Sequence, residues 1–153
     1  SEEQIQNIET QQDLLKCGTE VEVSLLKIDN NYRMCKTVNS TAVGNFTLYM
    51  ENTGQKDITG FKVIVYGDQG FGSRTYSDTL TKGTTKILSF QFTGAATNNS
   101  ELSRIEINPQ LAGRETVTCK EPNLQFDEEL IDSLEDCGFV SWDNSATTAT
   151  IVS

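Results

Sequence analysis

The chain has 153 residues, 36% of them hydrophobic, with two prolines and no histidine, which suits one domain with an ordinary core. Its 22 acidic and 12 basic residues give a formal net charge of -10 without a basic cluster, which makes nucleic acid and anionic membrane poor partners. No run approaches the ~18 apolar residues that a membrane-spanning helix needs, and no charged-then-apolar leader opens the sequence.

Residues Ser1 to Lys16 place Ile5, Ile8 and Leu15 near helical spacing among Glu, Gln and Asn, with neither Gly nor Pro, and predict a helix that Gly18 ends. Gln11 and Gln12 occupy the turn that should carry an apolar residue. Such a thin stripe makes the helix marginal alone, so something else must hold it.

From Thr19 to Thr118 the apolar period falls to two. Val21, Val23 and Leu25 alternate with Glu20, Glu22 and Ser24, and Asp29-Asn30-Asn31 supplies a turn before Tyr32 to Val38, which predicts a hairpin. Asn45 to Glu51 puts Phe46, Leu48 and Met50 on one face and stops at Asn52-Thr53-Gly54, where a glycine can take positive φ. Phe61 to Tyr66 is apolar on both faces and predicts a central strand.

Gly67 to Ser73 reads as a glycine-rich turn, followed by Thr75 to Leu80 and Thr85 to Phe92 as a pair across Thr81-Lys82-Gly83. Leu102 to Ile107 and Glu115 to Cys119 complete the set, broken by Pro109 and Gly113. About eight strands with turns every ten residues or so predict an antiparallel β-sandwich.

Beyond Lys120 the pattern turns helical again. Phe126, Leu130, Ile131 and Leu134 share a helical face, Asp127, Glu128 and Glu129 sit in the first turn, and Gly138 follows the end, so a short acidic C-terminal helix is expected. From Ser141 onward, Trp142 aside, the Ser, Thr and Ala run reads either as a loose tail or as a late edge strand. The expected organisation is a helix stub over 1–18, a sandwich domain over 19–120 and an acidic helical extension with its tail over 121–153.

Four cysteines, Cys17, Cys35, Cys119 and Cys137, are the strongest chemical signal. Cys17 and Cys35 stand 18 residues apart, as do Cys119 and Cys137, which is not the close CxxC spacing of a zinc knuckle. Without histidine there is no base to generate a catalytic thiolate. Two disulfides in an oxidising compartment fit best, with three connectivities open. The sequons at Asn39, Asn45 and Asn98 are candidate glycosylation acceptors, and equally ordinary polar loop or strand-edge residues.

Other chemistry is thin. The Gly67 to Gly72 segment leads into a strand and not a helix, so it lacks the N-terminus that would cradle a phosphate. The acids from Asp127 to Asp136 lack a calcium-loop pattern and read as a solvated helix face. A hydrolytic triad has no histidine, and Lys62, Lys82 and Lys86 fall where alternation turns them to water, which leaves no base for a Ser-Lys dyad. No catalytic residue, metal site or cofactor is assigned, and the chain is not expected to be an enzyme.

A polar helix ending in Cys17, a strand Val21 to Lys27, Cys35, the run Phe46-Thr47-Leu48-Tyr49-Met50-Glu51-Asn52-Thr53-Gly54, then Asp57-Ile58-Thr59-Gly60-Phe61-Lys62-Val63 and a closing Val117-Thr118-Cys119 together resemble archaeal type IV pilin-like and archaellin-like proteins. The Glu-Asn-Thr-Gly turn also resembles adhesion-type sandwich domains of archaeal surface proteins. The resemblance covers roughly residues 1 to 120. It implies a filament subunit with a hydrophobic N-terminal helix in the filament core and an immunoglobulin-like sandwich outside, Ser1 to Lys16 being the polar end of that helix. It further implies that Cys17, Cys35 and Cys119 share the task of tying the helix end to the sandwich, with Cys137 additional. The leader and long apolar stretch of that family are missing here, so the expectation is a soluble ectodomain that self-associates through a helix not included in the sequence.

The expected function is therefore an extracellular structural subunit serving adhesion or filament structure. The alternative is a carbohydrate- or protein-binding module of a secreted or cell-surface protein, with Tyr66, Phe71, Tyr76 and Trp142 as candidate stacking residues for a glycan or protein partner. Core packing or chance exposure is the plainer account of each.

Overall fold

The computed structural model describes residues 14–28, 31–38, 44–67, 70–92, 102–113, 115–121, 123–137 and 148–152. Residues 14–20 are helical (α1), and Gly18 lies within the helix and does not end it. There follow β1 (Val23–Leu25), β2 (Lys27–Ile28), β3 (Asn31–Tyr32), β4 (Met34–Val38), β5 (Gly44–Asn52), β6 (Gly60–Gly67), β7 (Gly70–Tyr76), β8 (Thr85–Phe92), β9 (Leu102–Ala112), β10 (Thr116–Thr118), β11 (Leu124–Asp127), α2 (Glu128–Ser133) and β12 (Thr148–Val152). The protein is mostly β, in two five-stranded sheets and a two-stranded pair of β2 with β3.

In the first sheet β5 pairs with β8 along almost its full length, and β1 and β4 share its other edge, β1 opposite residues 50–52 and β4 opposite 44–48. The predicted hairpin between Val21–Lys27 and Tyr32–Val38 is thereby corrected, because only Lys27–Ile28 and Asn31–Tyr32 pair with each other. The chain leaves the edge of β5 after Leu26, whose N–H donates to the Tyr49 carbonyl at 3.0 Å, and returns at Arg33, whose carbonyl accepts from the Tyr49 N–H at 2.9 Å. The C-terminal strand β12 pairs with β8 in parallel, the one parallel pairing among the described strands, so the late edge strand is the reading that holds for residues 148–152. Trp142 lies outside the described residues.

In the second sheet β6 is central between β7 and β9, as its two apolar faces predicted, and β10 and β11 share the far edge of β9. The ladder between β6 and β7 closes at Gly67 and Gly70, so the turn predicted over Gly67 to Ser73 is mostly strand. Gly70 has φ of 132°, a backbone that side chains with a Cβ rarely adopt. The predicted pairing of Thr75–Leu80 with Thr85–Phe92 does not occur, because β7 belongs to one sheet and β8 to the other.

Pro109 does not break β9 either. Its carbonyl accepts the Cys119 N–H at 2.8 Å, but proline has no N–H to return the bond, and the β10 ladder stops there. The missing donor faces the gap between β10 and β11, where no strand requires it. Phe126, predicted as helical, belongs to β11 instead. The helix begins at Glu128, capped by the Asp127 carboxylate, which accepts the Leu130 N–H at 2.9 Å.

The core lies between the sheets. Phe46, Leu48 and Met50 from β5, Phe61, Val63 and Val65 from β6, Ile105 and Ile107 from β9, and Leu88 from β8 are all almost wholly buried. Each such side chain contributes roughly 1.5–3 kcal/mol of transfer free energy. The stretch beyond Lys120 joins this core, since Phe126 packs its ring 5.8 Å from that of Phe46 and Ile131 of α2 is buried.

Two segments cross between the sheets, residues 53–59 after β5 and 77–84 after β7, and they pair with each other. The Ile58 N–H donates to the Leu80 carbonyl at 3.0 Å and the Leu80 N–H to the Ile58 carbonyl at 2.8 Å. Both side chains are fully buried, so the crossings close that end of the core.

Candidate functional site

The end of α1 is fastened to the second sheet by a disulfide between Cys17 and Cys119, Cα atoms 5.6 Å apart. Around it Val21, Leu111 and Val117 form a small apolar cluster with the two cysteines, separate from the main core. Leu14 and Leu15, by contrast, are exposed, so over residues 14–20 the helix is held through Cys17. This is the external fastening that the weak amphipathicity of the segment requires.

The chain past the helix is held by close backbone approach. The Thr53 N–H donates to the Glu22 carbonyl at 3.1 Å and the Gln55 N–H to the Glu20 carbonyl at 2.7 Å. Between them a Cβ on Gly54 would lie 2.5 Å from the Glu22 nitrogen and 2.7 Å from the Glu20 oxygen. Gly54 is therefore fixed by contact distance, not by the positive φ that its turn suggested, since its backbone is not of that kind. Beside the joint opens a cleft of about 650 Å³ whose lining includes Glu20, Glu22, Gly54 and Glu121. Glu20 faces Lys56 at 3.9 Å. Among the described residues no three His, Cys, Asp or Glu side chains converge as a metal site, and no helix is long and apolar enough to cross a membrane.

The second disulfide joins Cys35 of β4 to Cys137 beyond α2, with Cα atoms 5.0 Å apart. This corrects the division of labour implied for the cysteines. Cys17 and Cys119 alone tie the helix end, while Cys35 clasps the acidic helical segment to the first sheet. The same contact is reinforced by Lys36, whose Nζ donates to the Ile131 carbonyl at 2.7 Å and to the Asp132 carbonyl at 3.3 Å, and whose N–H donates to the Glu135 carbonyl at 3.0 Å. A cation thus sits on the C-terminal carbonyls of α2, whose own last turn has no basic residue.

No family model, no curated protein and no solved structure matches the chain.

The candidate stacking residues separate into three groups. Tyr76 is buried, Trp142 lies outside the described residues, and Tyr66 and Phe71 stand opposite each other on β6 and β7 with ring centroids 6.1 Å apart. Of the sequons, Asn45 lies in β5, opposite Thr37 and Gln91, while Asn39 and Asn98 lie outside the described residues. Lys82 is exposed and Lys62 is half-buried; the Lys86 ammonium donates to the Thr79 carbonyl at 3.0 Å.

Sequence reasoning missed the buried amides. Asn52 has no exposed surface, and its Nδ2 donates to the carbonyls of Lys56 at 2.8 Å and Leu80 at 3.0 Å while its Oδ1 accepts the Gly54 N–H at 3.0 Å. Asn108 and Gln110, also buried, sit on the outer face of β9, where Asn123 donates to the Asn108 Oδ1 and Gln110 donates to the Thr118 hydroxyl, each at 2.9 Å. The available signal was a polar residue at the end of an alternating strand directly before Thr-Gly, which marks an Asx turn.

Proposed function

We propose that this chain is the exposed domain of an extracellular structural protein, a pilin-like or archaellin-like filament subunit of the archaeal kind, carried on its N-terminal helix and serving filament structure or adhesion. The observation that carries the reading is the covalent joint between Cys17, on the last turns of α1, and Cys119 at the end of β10. A helix fastened this way transmits tension into the sheet without first peeling away the strands between the cysteines.

The two disulfides extend that argument. From Cys17 to Cys137 there are two covalent routes: across to Cys119 and along 18 residues, or along 18 residues to Cys35 and across. Load applied between those points is shared by two equal short tethers, and residues 36–118 lie outside both. Two disulfides in a chain of this size also favour an oxidising, extracellular setting.

An immunoglobulin-like connectivity is supported by the strand order. The pairs β5–β8 and β6–β9 form the centres of opposite sheets, β7 follows β6 at one edge, and β10 follows β9 at the other.

The test is immunogold electron microscopy on the source cells with an antibody to this chain, combined with thiol mapping of the native protein. Label along surface filaments with all four cysteines oxidised is the expected result. Label over the envelope but never on filaments would restrict the reading to a surface domain, and cytoplasmic label with four free thiols would overturn it.

A further inference from the structure

The outer face of the second sheet carries a feature unrelated to the disulfide joint. In β6 the residues Phe61, Val63 and Val65 point into the core, so Tyr66 points outward, and the strand register sets Phe71 of β7 on one side of it and Arg104 of β9 on the other. The planes of the two rings are inclined by 36°, and the Arg104 guanidinium carbon lies 5.7 Å from the Tyr66 ring centroid. Neighbouring strands lie about 4.8 Å apart, so the row Phe71, Tyr66, Arg104 is a platform roughly 10 Å long. Phe71 is 70% exposed, whereas Phe61, Val63 and Val65 of the neighbouring strand are buried.

The chemistry of the row is selective. Arg104 forms an ion pair with Glu106, two residues on and on the same face, so the platform carries both a fixed donor and a fixed acceptor and little net charge. The chain as a whole bears -10, which repels polyanions. Two neighbouring aromatic rings, tilted to each other, with a neutralised Arg–Glu pair at one end match a ligand with an apolar ring face and a rim of hydroxyls. We infer that Phe71, Tyr66 and Arg104 form a binding platform for an uncharged hexopyranose glycan, one sugar ring stacking on Phe71 and Tyr66 while hydroxyl groups of the glycan exchange hydrogen bonds with Arg104 and Glu106. The inference is independent of the filament reading, because no residue of the helix joint takes part.

The experiment is affinity electrophoresis of the whole oxidised protein in native gels containing hydroxyethyl cellulose, galactomannan or soluble starch, with alginate as the anionic comparison. Retardation by at least one neutral polysaccharide is expected, with binding weakened about tenfold in Phe71→Ala, the loss of one stacked ring. Leu15→Ala, which removes an exposed apolar side chain on α1, should migrate like the parent protein. Both substitutions are at exposed positions, and disulfide mapping verifies that each variant is folded. Retardation by none of the neutral polymers, by alginate alone, or equally in Phe71→Ala overturns the proposal. So does self-association in sedimentation that Phe71→Ala abolishes, since the face would then belong to a second copy of the chain.

Discussion

The side-chain amide of Asn52 donates to the Leu80 carbonyl 3.0 Å away, and so links the end of β5 to the segment that crosses back from the other sheet. The same amide holds Lys56 and the same side chain caps Gly54, so one buried residue organises both crossings. Asn52→Ala removes three hydrogen bonds and leaves carbonyls buried, which should lower the unfolding free energy by about 2–3 kcal/mol. Asn52→Asp keeps the acceptor for Gly54 but loses both donors and buries a charge, and should be worse. Guanidinium unfolding of the oxidised proteins measures both; a midpoint unchanged in Asn52→Ala would refute the role.

The glycines separate by contact. At Gly54 an added methyl group meets only backbone atoms, which cannot swing aside, so Gly54→Ala should destabilise by about 2 kcal/mol or more. Gly18 lies inside α1 with nothing within 4 Å of an added Cβ. Gly18→Ala should therefore stabilise by roughly 0.5–1 kcal/mol, since alanine loses less backbone freedom in a helix. Thermal melts of the pair check the sign, and equal shifts in the same direction would contradict this account.

The disulfides close loops of the same sequence separation, 102 residues, so a chain-entropy argument gives each about the same worth, close to 4–5 kcal/mol. Their exposure differs. Cys17 and Cys119 are both buried in their apolar cluster, whereas Cys137 is half-exposed. Mild reduction should open the Cys35–Cys137 bond first. Timed alkylation with mass mapping reads the order, and simultaneous loss of both bonds would show that global unfolding limits access.

The shared tethers make a mechanical prediction. Pulled between residues 17 and 137, the oxidised chain should lengthen to no more than about 70 Å, the contour of 18 residues and one disulfide. Under reducing conditions the full 120 residues become available and the limit rises to about 400 Å. Single-molecule force spectroscopy with handles at those positions distinguishes the two directly. An oxidised extension of about 280 Å, the contour of the 84 residues from Cys35 to Cys119, would mean that Cys17 pairs with Cys35 and Cys119 with Cys137.

Much of the fold could be read from residue order. The period-two runs identified β5 and β6 almost to the residue, because one or both faces of those strands are buried and burial selects apolar side chains at fixed spacing. The even cysteine count without histidine pointed to disulfides on chemical grounds alone. The outward-facing Tyr66 and Phe71 were legible as aromatics, but not as neighbours.

What only the tertiary structure decided was partnership. Adjacent runs such as Val21–Leu25 and Met34–Val38 look like a hairpin, yet both pair with β5, since side-chain alternation records which face is buried and not which strand lies alongside. Phe126 suits a helical stripe or a strand equally well over so short a span, and its pairing with Ile105 in β9 settled the matter. The cation at the end of α2 comes from Lys36, 95 residues earlier than Ile131, and each cysteine finds its partner 102 residues away. Local sequence fixes the period of burial, but contacts between distant segments are chosen by the packing of the two sheets together, and that choice leaves no periodic trace along the chain.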